Sequence, residues 1–235
     1  MNDTLKQRMA CRTTYGMNIY GTASMPIEVA GNWGLDFVFI DAEHTSLGID
    51  RDMEKLILAA HYAKIHSLVR VRGTLDWDIR KALEMGASGV IIPQVHNAEQ
   101  MRSIIRCSKF PPMGRRGGDS SVRSAQYAGP NFDWSTYIQT ENERTVIVPM
   151  AESYEFFDNI DAILDVEGID AVHFGPGQVQ RLGDQRGHAA LHVVRVDKLT
   201  AKPDHDHHTR QVEPVARRQQ KRLAADLAIE LAKGD

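Results

Sequence analysis

Two patterns of apolar and polar positions alternate along the chain. One is a short unbroken apolar run; the other is a longer stretch with apolar residues every three or four positions. The first suits strands buried on both faces, the second amphipathic helices. Residues 14–20 read as a short opening strand, and residues 24–30 as a helix start with Pro26 in its first turn. Phe37, Val38, Phe39 and Ile40 form an apolar run that ends in Asp41, Ala42, Glu43 and His44. Residues 49–64 place Met53, Leu56, Ile57 and Ala60 on one helical stripe. Residues 67–71 give a third strand, again ending in charge. Residues 76–85 give a helix closed by Gly86, the usual residue past a helix end.

The same rhythm continues with a buried strand at residues 89–94. Asn97 follows as a helix N-cap with Gln100 at the third helical position, ahead of Ile104 and Ile105. After an interruption, residues 145–152 form a strand that runs into Glu152, and Ser153 caps a helix carrying Phe156, Phe157, Ile160, Ile163 and Leu164. Residues 169–177 read as one more strand and a Gly/Pro turn. Six strands are countable in this way, with room for a short additional one inside residues 119–144. Strands alternating with helices over short connections are the pattern of a parallel α/β fold. A chain of 235 residues is also the size of one α/β barrel.

Two stretches break the rhythm. Residues 111–135 open with Pro111, Pro112, Met113, Gly114, Arg115, Arg116, Gly117 and Gly118. Loops of that length in compact domains are usually functional or disordered; these arginines could bind a carboxylate, hold a subunit interface or be solvated. Beyond about Gln178 the alternation fades, and five of the ten histidines fall between His188 and His208. The tract at residues 203–208 has metal-ligating side chains, but without a surrounding scaffold it reads as an exposed loop. Residues 213–233 return to a helical pattern, with Leu223, Leu227 and Leu231 four apart.

Composition narrows the function. A net charge of −3, with both signs interspersed, gives no electrostatic footprint for nucleic acid or an anionic membrane. No apolar run approaches the roughly 20 residues that span a bilayer, and residues 1–12 lack a signal-peptide core, so a soluble cytoplasmic protein is expected. Cys11 and Cys107 make no disulfide framework. The chemistry lies at strand ends. Parallel strands would bring together Asp41, Glu43 and His44 from one, Arg70 from the next and Glu152 from a later one. A carboxylate with neighbouring oxygens suits a hard divalent cation. A fixed guanidinium suits a carboxylate or an enolate oxygen, and a histidine oriented by an acid suits a general base. These are the parts for proton abstraction beside a carbonyl or for breaking a carbon–carbon bond to an enolate.

Residues 36–44 (DFVFIDAEH), 68–71 (LVRV), 83–93 (LEMGASGVIIP), 111–118 (PPMGRRGG), 150–153 (MAES) and 168–176 (GIDAVHFGP), taken in this order, resemble the metal-dependent class II pyruvate aldolases of the HpcH/HpaI type. The resemblance spans roughly residues 5–183. It implies a (β/α)8-type TIM barrel in the phosphoenolpyruvate/pyruvate superfamily, with a divergent or incomplete C-terminal part. It also implies a carbon–carbon lyase that cleaves a 4-hydroxy-2-oxo acid to pyruvate and an aldehyde through an enolate, with Mg²⁺ or Mn²⁺ as cofactor. By resemblance His44 is the catalytic base with Asp41 as its dyad partner, and Arg70 contacts the pyruvate carbonyl oxygen and the developing enolate. Glu152 is the first metal ligand, and the backbone around Gly175, Pro176 and Gly177 sits at the pyruvate carboxylate. Assembly as a homo-oligomer, trimer or hexamer, is implied as well.

Two departures from the family stand out. Gln178 occupies the position of the family's second metal ligand, an aspartate, and offers one neutral oxygen in its place. Residues 182–212 lose the family pattern, as a shifted reading frame across 178–211 would produce. The expected organisation is therefore one barrel domain over residues 1–235: family-like to 181, anomalous and irregular over 182–212, helical over 213–233. Two other readings keep the fold: a metal-independent condensing enzyme of the citrate-synthase kind, or another superfamily activity. A catalytically inactive barrel is the third alternative.

Overall fold

A computed structural model of the chain describes residues 3–174 and the backbone of residues 192–195. Six strands run parallel in sequence order: β1 Gly16–Ile19, β2 Phe37–Asp41, β3 His66–Arg70, β4 Gly89–Ile92, β5 Val146–Ala151 and β6 Ala171–Phe174. Sequential parallel neighbours joined by helices form the curled wall of a TIM-type barrel. The connecting helices are α2 Met25–Asn32, α3 Arg51–Tyr62, α4 Asp76–Glu84, α5 Ala98–Ser108, α6 Trp134–Arg144, α7 Tyr154–Asp158 and α8 Ile160–Leu164, and α1 Leu5–Cys11 precedes β1. A seventh strand, β7 His192–Arg195, lies antiparallel against β6. It falls inside the stretch read from sequence as irregular. Four residues carry too little periodicity to be seen, while the open edge of β6 offers backbone groups that a strand satisfies.

Strand alternation divides the core into two layers. Val38, Ile40, Val69, Val90, Ile92, Ile147 and Val172 pack outward against the helices. Phe37, Phe39, Leu68, Ile91, Val146, Val148, Met150 and Ala171 fill the barrel interior. Gly16 makes room for this filling: a Cβ there would lie 2.3 Å from the Phe37 ring. Helix α1 closes the end where the strands begin. Its Leu5 joins the interior cluster, and Arg8 and Arg12 both donate to the buried carboxylate of Asp36, just ahead of β2.

Helix boundaries follow local chemistry. Asp50, Asn97, Asp133 and Ser153 each accept a backbone N–H of the first turn that follows. Gly86, at φ +93°, ends α4. No strand occurs within 119–144; that stretch holds a 3₁₀ segment, Arg123–Ala128, and then α6. The 3₁₀ segment is broken where Gln126 and Tyr127 take positive φ.

Candidate active site

Interior-facing positions at the carboxyl ends of the strands carry the ionisable groups. Asp41 and Arg70 are registered neighbours on β2 and β3, so their side chains leave the wall side by side. Asp41 is fully buried. Its Oδ1 accepts from Arg70 Nε at 2.8 Å and its Oδ2 from Arg70 Nη2 at 2.6 Å, a fork-to-fork pair. The backbone N–H groups of Glu43 and His44 also donate to Oδ1, at 2.9 and 3.4 Å. Burial pushes the Asp41 carboxyl up, but Arg70 and these amides bring it below the ordinary carboxylate value. Burial likewise works against the Arg70 charge, and Asp41 and then Glu43 outweigh it, so the guanidinium stays charged. Its plane lies over the Phe39 ring, 5.3 Å from the centroid.

Glu43 bridges the rest of the cluster. Its Oε2 lies 3.2 Å from Arg70 Nη1 and 3.6 Å from His44 Nε2. Burial, helped by the charges of Glu152 and Asp41, raises the Glu43 pKa against the pull of Arg70 and His44. Oε2 is buried and accepts no hydrogen bond among the described residues, although it is ion-paired. Glu152 follows β5, and its Oε1 accepts the N–H of Gln94 at 2.6 Å; Gln94 itself takes φ +57° just past β4. The charges of Glu43 and Glu152 disfavour one another at this mouth, which a cation would relieve. Among the described residues, no three His, Cys, Asp or Glu side chains converge as a complete metal cage.

The structure thus brings Asp41, Glu43, His44, Arg70 and Glu152 to one end of the barrel. The Asp41–His44 pairing takes a different form from the expected dyad. Asp41 meets the His44 backbone, its oxygens engaged by the Arg70 fork; the recorded acid beside the imidazole is Glu43, and the His44 side chain is 70% exposed. Gly175, Pro176, Gly177 and Gln178 lie outside the described residues, as do the tract at 203–208 and residues 213–233. Of the loop arginines, Arg115 is exposed. Arg116 is buried, donates to Glu141 Oε2 at 3.1 Å and stacks on Phe110. Asn18 and Tyr20 escaped the sequence reading, although the alternation Gly16, Asn18, Tyr20 points the same way as Phe37, Phe39 and Asp41. Asn18 Nδ2 donates to Tyr20 Oη at 2.8 Å.

Comparison with known proteins decides the family. The profile of the HpcH/HpaI aldolase/citrate lyase family matches residues 14–204. This chain belongs to that family. A 2-keto-3-deoxy-L-rhamnonate aldolase of Salmonella paratyphi B is 34% identical over 185 residues, covering 77% of this chain and 68% of the relative. An HpcH/HpaI aldolase from Desulfitobacterium hafniense DCB-2 superposes with a TM-score of 0.68 at 30% identity, over 76% of this chain and 68% of that one. The citrate synthase SbnG gives a TM-score of 0.68 at 27% identity, over 96% of this chain and 78% of that one. The family and these likenesses agree with the barrel described above. No helix among the described residues is long and apolar enough to cross a membrane.

Proposed function

We propose that the chain is a 2-oxo-acid aldolase, cleaving a 4-hydroxy-2-oxo acid to pyruvate and an aldehyde. The observation that carries this reading is the Asp41–Arg70 clamp. It fixes a charged guanidinium beside the mouth carboxylates with only two of its five N–H donors spent on Asp41. Nη1 meets Glu43, and the donors left over would steady the negative charge that develops on a carbonyl oxygen. In cleavage, His44 takes the proton of the C4 hydroxyl and the C3–C4 bond breaks. Its electron pair moves into the C2–C3 bond and on to the C2 oxygen, and the aldehyde leaves. Arg70 steadies the enolate while the imidazolium of His44 returns its proton to C3, giving pyruvate. Glu43 keeps the His44 ring and the second arm of Arg70 in one cluster.

Glu152, with Gln178 in the family's second ligand position, would hold Mg²⁺ or Mn²⁺. When bound, such a cation polarises the 2-oxo group as a Lewis acid. The backbone of Gly175, Pro176 and Gly177 is proposed to receive the substrate carboxylate. Residence in the cytoplasm and assembly as a homo-oligomer, trimer or hexamer, complete the proposal. Incubation with pyruvate, an aldehyde and Mn²⁺ or Mg²⁺ should give aldol product, abolished by EDTA and by His44→Ala. Product undiminished by both treatments overturns this mechanism.

The likeness to a citrate synthase over nearly the whole chain favours a second reading, metal-independent condensation in the same pocket. Gln178, a neutral side chain, fits it too. Calorimetric titration with Mn²⁺ separates the two, because the condensing enzyme gives no heat at micromolar cation.

A further inference from the structure

The mouth has one more polar position than the acids, the imidazole and the guanidinium account for. On β1, Met17 and Ile19 pack toward the helices, which turns Gly16, Asn18 and then Tyr20 to the interior side of the wall. Ile19 is registered with Ile40, so Tyr20 stands one step further, level with Asp41, which is itself registered with Arg70. Tyr20, Asp41 and Arg70 therefore form one tier at the carboxyl ends of three adjacent strands. Tyr20 remains 61% exposed at the rim. Asn18 Nδ2 donates to Tyr20 Oη at 2.8 Å. That contact occupies an acceptor lone pair of the phenol and leaves its O–H proton to be donated elsewhere.

We propose that Tyr20, oriented by Asn18, is a specificity-determining residue that donates its phenol proton to a hydroxyl on the aldehyde half of the substrate, selecting hydroxylated aldehydes over plain alkyl ones. The proposal rests on the aldolase reading and names the substrate class for that site. Geometry divides the labour. Arg70, deep and clamped, is spent on the 2-oxo end, whereas Tyr20 stands in the same tier but nearer solvent, where the departing or incoming aldehyde passes. Polar side chains also follow the neighbouring strands, Arg72 after β3, His96 after β4 and Glu152 after β5. A hydrogen bond to a neutral hydroxyl at a partly exposed site discriminates by about five- to tenfold.

The test compares glycolaldehyde with acetaldehyde as acceptors for pyruvate, in the wild-type chain, Tyr20→Phe and Asn18→Ala, with solvent deuterium exchange into pyruvate followed in parallel. Tyr20→Phe should lower the ratio of kcat/KM for glycolaldehyde to that for acetaldehyde by about five- to tenfold, the loss appearing mainly in KM. Asn18→Ala should lower it by a smaller factor. A ratio that stays the same in Tyr20→Phe while pyruvate exchange persists overturns the proposal and leaves the aldolase reading standing. A wild-type chain that neither condenses nor exchanges pyruvate overturns the aldolase reading, and the proposal falls with it.

Discussion

Arg70→Lys keeps the positive charge at the mouth and removes the fork, so it separates charge from geometry. The native guanidinium makes two bonds to Asp41, at 2.8 and 2.6 Å, approaches Glu43 at 3.2 Å and covers the Phe39 ring. An ammonium on a flexible stem can meet one carboxylate at a time. The loss is one charge-assisted hydrogen bond, worth about 1.5–3 kcal/mol, plus part of a cation–π contact of about 0.5–1 kcal/mol. Asp41, fully buried, keeps a counter-charge, so the cost stays below the roughly 3–5 kcal/mol of an orphaned buried ion. A destabilisation of about 2–3 kcal/mol lowers Tm by roughly 4–12 °C in a chain of this size. Catalysis suffers more. An oriented donor to a developing oxyanion is worth about 10²–10³ in kcat, and the lysine has no second arm to supply it. Thermal unfolding by circular dichroism and steady-state aldol cleavage measure both effects. A variant with wild-type Tm and kcat would refute the clamp. One that loses Tm but keeps kcat would make Arg70 a structural residue only.

Acid sensitivity comes from His66, whose ring is pinned between Ser88 Oγ and the Asp3 carbonyl and whose pKa is lowered from 6.5 to about 4 by burial and then by the charge of Arg8. Between those values the unfolded chain binds the extra proton, so stability should fall as pH drops from about 6.5 to about 4, by about 3 kcal/mol. His66→Gln should flatten that part of the unfolding profile, and an identical slope in both proteins refutes it. Thiol labelling of the native protein at pH 8 should modify exposed Cys11 quickly and the half-buried Cys107 far more slowly. Burial and the Asp76 charge push the Cys107 thiol up to about 12, and equal labelling rates for the two would contradict this.

Most of the wall was legible because β2, β4 and β5 are dominated by unbroken apolar runs and α3, α5 and α7 begin at capping side chains. What escaped depends on pairing or on polar burial. The Asp41–Arg70 clamp needs the β2–β3 register, which no local pattern states; the pairing of Asp41 with His44 was an implication of the family resemblance. Helix α6 was missed because few of its residues are apolar and its buried positions include Glu141 and Asn142. Those two anchor Arg116 and the Phe110 backbone, so the arginine-rich loop is tied inward at Arg116 while Arg115 stays exposed. The acids of the site could be read as strand-end charges, but Tyr20 sits past a four-residue strand whose alternation is visible only once β1 is aligned with β2.

The most direct test of the central claim, that imidazole, guanidinium and carboxylate at one barrel end stabilise an enolate, is proton NMR of pyruvate in D₂O with the protein and Mg²⁺. The account predicts loss of the methyl signal at a rate proportional to enzyme, abolished by His44→Ala and reduced about a hundredfold or more by Arg70→Lys. Methyl protons that persist in the wild-type sample, or that exchange equally fast in both variants, would contradict it.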